Sequence, residues 1–135
     1  MTEILSHPQR PRIVCAARIE GQRVDTPGRW RTVKTLLRSK HMTVHVAIFD
    51  PGQAGSLHVH RTSEEATYII SGNGEVACGG ETFAVGAGDL FYGPPNLPHQ
   101  FRNVGQTPLR LIAIYSPPDE PPLVSNLESE DEDSG

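Results

Sequence analysis

The feature that most constrains this chain is its punctuation. Glycine and proline cluster at short, regular intervals: Asp50-Pro51-Gly52, Gly72-Asn73-Gly74, Gly79-Gly80, Gly86-Ala87-Gly88, Gly93-Pro94-Pro95-Asn96 and Gly105 to Pro108. Glycine supplies positive φ and proline a preset turn geometry, so each cluster ends the element before it. The pieces between are too short for stable helices and rich in β-branched and aromatic residues. They predict strands over residues 42–49, 56–60, 66–71, 74–78, 81–85, 89–92, 99–103 and 109–115. Many short strands with a turn at every junction predict an all-β fold, a jelly-roll sandwich or barrel.

Both ends carry weaker signals. Residues 1–12 read as an arm, and Ile13-Val14-Cys15-Ala16-Ala17 as a short first strand. Gly21 and Thr26-Pro27-Gly28 mark turns, while Trp30 to Leu37 suits a strand or a helical turn and stays open. Proline cannot extend a ladder, so Pro117-Pro118-Asp119-Glu120-Pro121-Pro122 closes the domain. Residues 13–122 are therefore expected to form one domain, a natural size for a chain of 135 residues. Beyond it, Glu128, Glu130, Asp131, Glu132 and Asp133 crowd the end of the chain, and residues 123–135 are expected to be a disordered acidic tail.

Composition excludes some partners. Nine of the twelve lysines and arginines precede position 41, but they are interleaved with acidic, glycine and proline residues instead of forming a stripe. Nucleic-acid binding, which wants a dense basic patch with aromatics or a known module, is set aside. No apolar run reaches the roughly 20 residues that span a bilayer, so no membrane partner is expected. The first twelve residues are polar, and Cys15 and Cys78 stand in no CxxC pair. A cytoplasmic chain with reduced thiols acting as small buried hydrophobes is the expectation.

Chemistry concentrates in His58-Val59-His60 and the nearby Glu65. Side chains alternate across a strand, so two histidines one residue apart face the same way. Two imidazoles beside a carboxylate suit a divalent metal and leave coordination positions open, which favours reaction over a closed structural clasp.

The spacing extends further. Gly52, His58, His60, Glu65 and Gly72 give G-x5-H-x-H-x4-E-x6-G, which resembles the first motif of the cupin superfamily at every fixed position. Gly88, Pro94, His99 and Asn103 resemble its second motif, G-x5-P-x-G-x2-H-x3-N, with Asn96 standing where the family has glycine. Asparagine tolerates a left-handed backbone better than other non-glycine residues, so the turn can survive. The resemblance covers residues 42–118 and implies a double-stranded β-helix, the cupin jelly-roll barrel. It also implies a single divalent metal ion on His58, His60, Glu65 and His99, with Glu64 as the alternative carboxylate one position earlier. Fe(II) is favoured, with Mn, Ni, Zn and Co as alternatives.

If Glu65 faces inward, alternation turns Thr67 and Ile69 inward too, and Phe101 and Asn103 with His99. His45, Thr67, Phe101 and Asn103 are the candidates for a mostly apolar substrate pocket. Tyr68 should point away. Trp30, Tyr92 and Tyr115 are expected to pack; Arg18, Arg29 and Arg31 could reach over the barrel to hold a substrate anion, but solvation at the surface is the expectation.

An intact ligand set implies a metal-dependent enzyme acting on a small molecule, with an Fe(II) oxygenase or dioxygenase first. A non-redox cyclase, isomerase or lyase is the alternative, and a binding or sensing cupin a third, for which no DNA-binding helical segment is visible. Arg31 to Leu37 and His60 to Glu65 are similar to small cupins of aromatic polyketide pathways, favouring specialised metabolism. Glu65 to Tyr68 and Gly74 to Val76 are similar to ectoine synthase, a family without the His-x-His pair. Small cupins pair through sheet edges, so a homodimer is expected.

Overall fold

The structure, a computed structural model, describes residues 10–119. Most of the expected arm and the expected acidic tail lie outside those residues. Nine strands form in chain order: β1 Gln22–Thr26, β2 Arg29–Arg38, β3 Thr43–Phe49, β4 Glu64–Ser71, β5 Asn73–Cys78, β6 Glu81–Gly86, β7 Leu90–Gly93, β8 His99–Asn103 and β9 Leu109–Ser116. They assemble into a six-stranded sheet, β1-β2-β3-β9-β4-β7, and a three-stranded sheet, β6-β5-β8. Every pairing in both is antiparallel. The jelly-roll architecture expected from the turn pattern is the one found.

Two expected strands differ. Residues 13–17 do not pair: Ala16–Arg18 form a single 3-10 turn, and Ile13 is 97% exposed. An extended segment becomes a strand only where a neighbour completes its ladder, and no described strand pairs with these residues. Cys15, on this segment, is exposed as well, whereas Cys78 is buried. Residues 56–60 form no ladder either. They touch β8 through isolated bridges, Ala54 with Arg102 and His58 with His99. The register slips by one residue between those bridges, as at a bulge, and the slip breaks the strand while re-aiming its side chains. The ambiguous segment from Trp30 resolves as strand β2, because β1 and β3 flank it on both sides.

Register sorts the interior into layers. Across the large sheet, Thr43 pairs with Tyr115 and Tyr115 with Glu65; next come His45, Ala113 and Thr67; then Ala47, Leu111 and Ile69. On the small sheet the same order reads Cys78 with His99, Val76 with Phe101, and Gly74 with Asn103. Polar, titratable groups occupy one end and apolar ones the middle, where Ile69, Val76 and Leu109 are fully buried. That apolar middle is the stabilising part, since burying one such side chain is worth about 1.5–3 kcal/mol.

Gly72 shows why the first motif ends in glycine. Its φ is +92°, and a Cβ there would lie 2.5 Å from the Pro108 carbonyl oxygen. Gly72→Ala should therefore destabilise the fold by about 1–3 kcal/mol, read from chemical denaturation, through both strain and collision.

The outward face of the large sheet is apolar. Tyr68, Ile70, Leu90, Tyr92 and Ile114 are exposed, and pairing sets Leu90 beside Tyr68 and both Tyr92 and Ile114 beside Ala66. A contiguous apolar patch of this kind marks an interaction surface, and a flat patch can meet itself across a two-fold axis. We propose that the expected homodimer pairs through this face. Light scattering should then give a dimer that Leu90→Glu with Tyr92→Glu dissociates; a wild-type monomer at micromolar concentration overturns it.

Candidate metal centre

Three segments deliver the four expected ligands. The bulged segment before β4 brings His58 and His60, the start of β4 brings Glu65, and β8 begins with His99. One nitrogen or carboxylate oxygen from each of His58, His60, Glu65 and His99 lies within 4.8 Å of all the others. Glu64 is exposed while Glu65 is buried, as alternation along β4 requires, so the carboxylate reaching this cluster is that of Glu65. Asn96, at the position of the missing motif glycine, adopts φ 63°. Its N–H donates to the His60 carbonyl at 2.7 Å, and its side-chain oxygen accepts from Arg61 at 3.1 Å, so this residue ties the two motifs together.

Each imidazole is held from behind. The Nδ1–H of His58 donates to the Ser56 carbonyl at 2.8 Å, that of His99 to the Leu97 carbonyl at 3.2 Å, and that of His60 to the Asp119 carboxylate at 2.8 Å. An Nδ1 facing a carbonyl or carboxylate oxygen has to carry the proton, which leaves the three Nε2 atoms to converge on the centre. Those of His58 and His60 are buried without a hydrogen-bond partner. That of His99 lies 2.9 Å from Glu65 Oε1. A lone pair facing a carboxylate at that range repels it, so a proton or a metal cation belongs between them. Three imidazole nitrogens and one carboxylate, with no thiolate, fit a divalent transition metal.

Electrostatics agree with this arrangement. Burial, reinforced by neighbouring His99, lowers His58 to about 3, so its ring is neutral and able to ligate. Burial acts in the same direction on His60, but the carboxylates of Glu65, 3.4 Å from its Nε2, and Asp119 outweigh it and raise the pKa. Burial alone would push the Glu65 carboxyl up; the His60 and His99 rings that face it, which stabilise its charge when protonated, instead hold it well below the usual carboxylate range. The Thr67 hydroxyl donates to Glu65 Oε2 at 2.5 Å and fixes the carboxylate plane.

A cavity adjoins the cluster, and the four residues proposed for a substrate pocket divide over it. His45 and Phe101 line it together with His58 and Glu65. Thr67 does not line it and serves the carboxylate instead. Asn103 sits elsewhere, at the opposite end of β8 from His99. Its side-chain nitrogen donates to the carbonyls of Phe49 and Thr107, both at 2.9 Å, and its oxygen accepts from the Gly105 N–H. Facing inward put it in the barrel, but its distance along the strand put it at the turn end. Tyr68 points out, as expected, and Tyr115 is buried against the cavity, its ring centroid 4.2 Å from that of His60.

Sequence reasoning placed one residue wrongly and missed another. Arg31, weighed for a substrate anion but expected at the surface, is 5% exposed and lines the cavity. Its signal was alternation with Val33, usable only once β2 was known to be a strand. Asp119, read only as part of a chain-breaking segment, orients His60 from 59 positions away, a distance no local spacing reveals.

Comparisons with known proteins agree with the fold. The family model of the cupin domain matches residues 45–115. Uncharacterized protein MJ1618 of Methanocaldococcus jannaschii is 42% identical over 72 residues, 53% of this chain and 58% of that protein, so the match spans little over half of that relative. Polyketide synthase CurC of Streptomyces cyaneus is 34% identical over 123 residues, 90% of this chain and 79% of its own. Among solved structures, an RmlC-like cupin from Shewanella frigidimarina superposes with a TM-score of 0.67 at 25% identity, covering 80% of this chain and 92% of that one.

The hydrogen bond from His60 to Asp119 generates a prediction. Asp119→Asn keeps the shape but removes the charge, and should weaken binding of Zn or Co by about 10–100-fold without unfolding the barrel, as measured by competition with a chromophoric chelator. Unchanged affinity would mean that Asp119 does not tune the site.

Proposed function

The chain belongs to the cupin family, and from that premise we propose that it is a metal-dependent enzyme acting on a small organic molecule of specialised metabolism, with oxygenation by an Fe(II) form as the leading reaction. The observation that carries the enzyme reading is the convergence of three Nε2 atoms and the Glu65 carboxylate at the wall of a cavity. A purely structural site would be closed; one bordering a cavity leaves room for a substrate. A divalent ion held there would supply Lewis acidity toward a substrate oxygen, and as Fe(II) also the capacity to react with dioxygen.

The chain's own residues do the remaining work. Phe49, Phe101 and Leu111 give the cavity apolar walls that exclude water, while Ala47 and Ala113 leave the space. The similarity to Polyketide synthase CurC, over 90% of this chain, supports a substrate from specialised metabolism. One observation favours a non-redox cyclase or isomerase as the second reading. His45 lines the cavity, its Nδ1 has no hydrogen-bond partner, and burial first, with Arg31 and His60 adding to it, lowers its pKa to about 4. A neutral imidazole beside the site is a base that proton-shuffling chemistry can use.

Protein purified without chelators should carry one divalent ion per chain, and His58→Ala should lose it. The Fe(II)-loaded protein is then offered a panel of phenolic and 1,3-diketone polyketides in an oxygen electrode. Oxygen uptake that His58→Ala abolishes supports the oxygenase. Product formation under argon overturns that reaction in favour of the cyclase or isomerase, and a metal-free wild-type protein overturns the metalloenzyme altogether.

A further inference from the structure

Resting on the metalloenzyme reading, we propose that Thr67 is a positioning residue that restricts Glu65 to coordination through a single oxygen. By engaging Oε2 it leaves Oε1 alone for the ion, and so keeps a further coordination position open to reactants.

The place of the hydroxyl is the first support. Thr67 is fully buried in β4, where the ladders set it between Phe91 on β7 and Ala113 on β9. Valine has nearly the same shape and would fill that place with no polar group to desolvate. A hydroxyl there needs a partner, and its partner is Glu65 Oε2 at 2.5 Å. Positions 65 and 67 project from one face of β4, and pairing on both sides of the strand holds the backbone between them.

The separate partners of the two carboxylate oxygens are the second. Oε1 faces the cluster, 2.9 Å from Nε2 of His99 and 3.4 Å from Nε2 of His60. Oε2 accepts from Thr67, a neutral donor that occupies the oxygen without bringing a charge to compete with the ion. Glu65 is 3% exposed, so solvent has little access to Oε2. With the hydroxyl removed, Oε2 becomes a buried anionic oxygen lacking its donor, and the cation is the partner that remains for it.

Coordination number gives the consequence. Three imidazoles and Oε1 fill four positions of an octahedral ion such as Mn(II), which leaves a pair of them open. A second carboxylate oxygen would close one of that pair. A reaction that brings an organic substrate and dioxygen to the same ion uses both open positions, whereas Lewis-acid catalysis on a single substrate oxygen uses one. Thr67 thereby bears on which reaction the site supports, although it acts only through Glu65.

The test loads the full-length protein with Mn(II) and compares its EPR linewidth in ordinary water and in water enriched in the magnetic oxygen isotope, which reports the water held on the ion. Thr67→Val, which keeps the shape and drops the hydroxyl, should show roughly half the wild-type broadening at the same manganese content, one water having given way to Oε2. Crystals of the manganese-loaded proteins should show Oε1 alone on the ion in wild type and both oxygens in the variant. Thr67→Ser restores the donor and should behave as wild type, while Thr67→Ala serves if Thr67→Val fails to fold. A hydroxyl that mattered only for packing would leave the broadening unchanged. The proposal is overturned if wild type already holds the ion by both oxygens, if the hydroxyl-free variants at full metal content keep the wild-type broadening, or if Thr67→Ser matches Thr67→Val. A wild-type protein that takes up no manganese is a separate failure, that of the metalloenzyme reading.

Discussion

The carboxylate of Glu65 is the group on which the rest of the structure turns. It is 3% exposed, and an ion buried that deeply is tolerated only when matched by positive charge and hydrogen bonds. The match comes from Nε2 of His99 at 2.9 Å, Nε2 of His60 at 3.4 Å and the Thr67 hydroxyl. Each ring is braced by a different part of the chain. Ser56 braces the bulged segment, Leu97 the turn before β8, and Asp119 the stretch after β9, which is itself tied down by its N–H to Thr43 at 3.1 Å and by Ser63 to the Pro117 carbonyl at 2.6 Å. Three segments distant in sequence are therefore held in place by one acid.

Such a cluster does not stabilise a fold by itself. Without a cation it holds two buried imidazole nitrogens lacking partners, each a desolvation cost of about 1–3 kcal/mol. The layered interior offsets this. Ile69, Leu109 and Leu111 pack further along the barrel, beyond the layer that holds His45. Two alanines, at 47 and 113, interrupt that packing between the layers. In a core filled for stability alone those inward positions would carry larger side chains, so the space they leave is an expense of the site.

What could be read from the sequence follows from where the information lies. Side-chain alternation within a strand is local, so His58 with His60, Glu65 against Glu64, and His99 with Phe101 were legible before any coordinate. Turn chemistry is local too, and seven of the nine strands fell within a residue or two of their expected bounds. Cross-strand partnership is not local. Residues 13–17 look like a strand until no ladder partner is found for them among the described residues, and residues 56–60 until their register against β8 slips. Asn103 was legible as inward but not as structural, because the carbonyls it binds, on Phe49 and Thr107, are fixed only by the closed barrel.

Arg31 was expected at the surface and Asp119 was read only as part of a chain-breaking segment, for one shared physical reason. A charged side chain is placed at the surface by default, and only a specific partner in three dimensions reverses that default. The four clustered residues sit inside motifs whose spacing announces them. The arginine that lines the cavity and the carboxylate that orients His60 lie outside, on β2 and in the segment after β9. Two chains sharing both motifs can therefore form the same cluster in the same barrel and still surround it differently. In this chain the surroundings are a buried arginine, a buried imidazole and apolar walls, and these, more than the four clustered residues, distinguish its cavity.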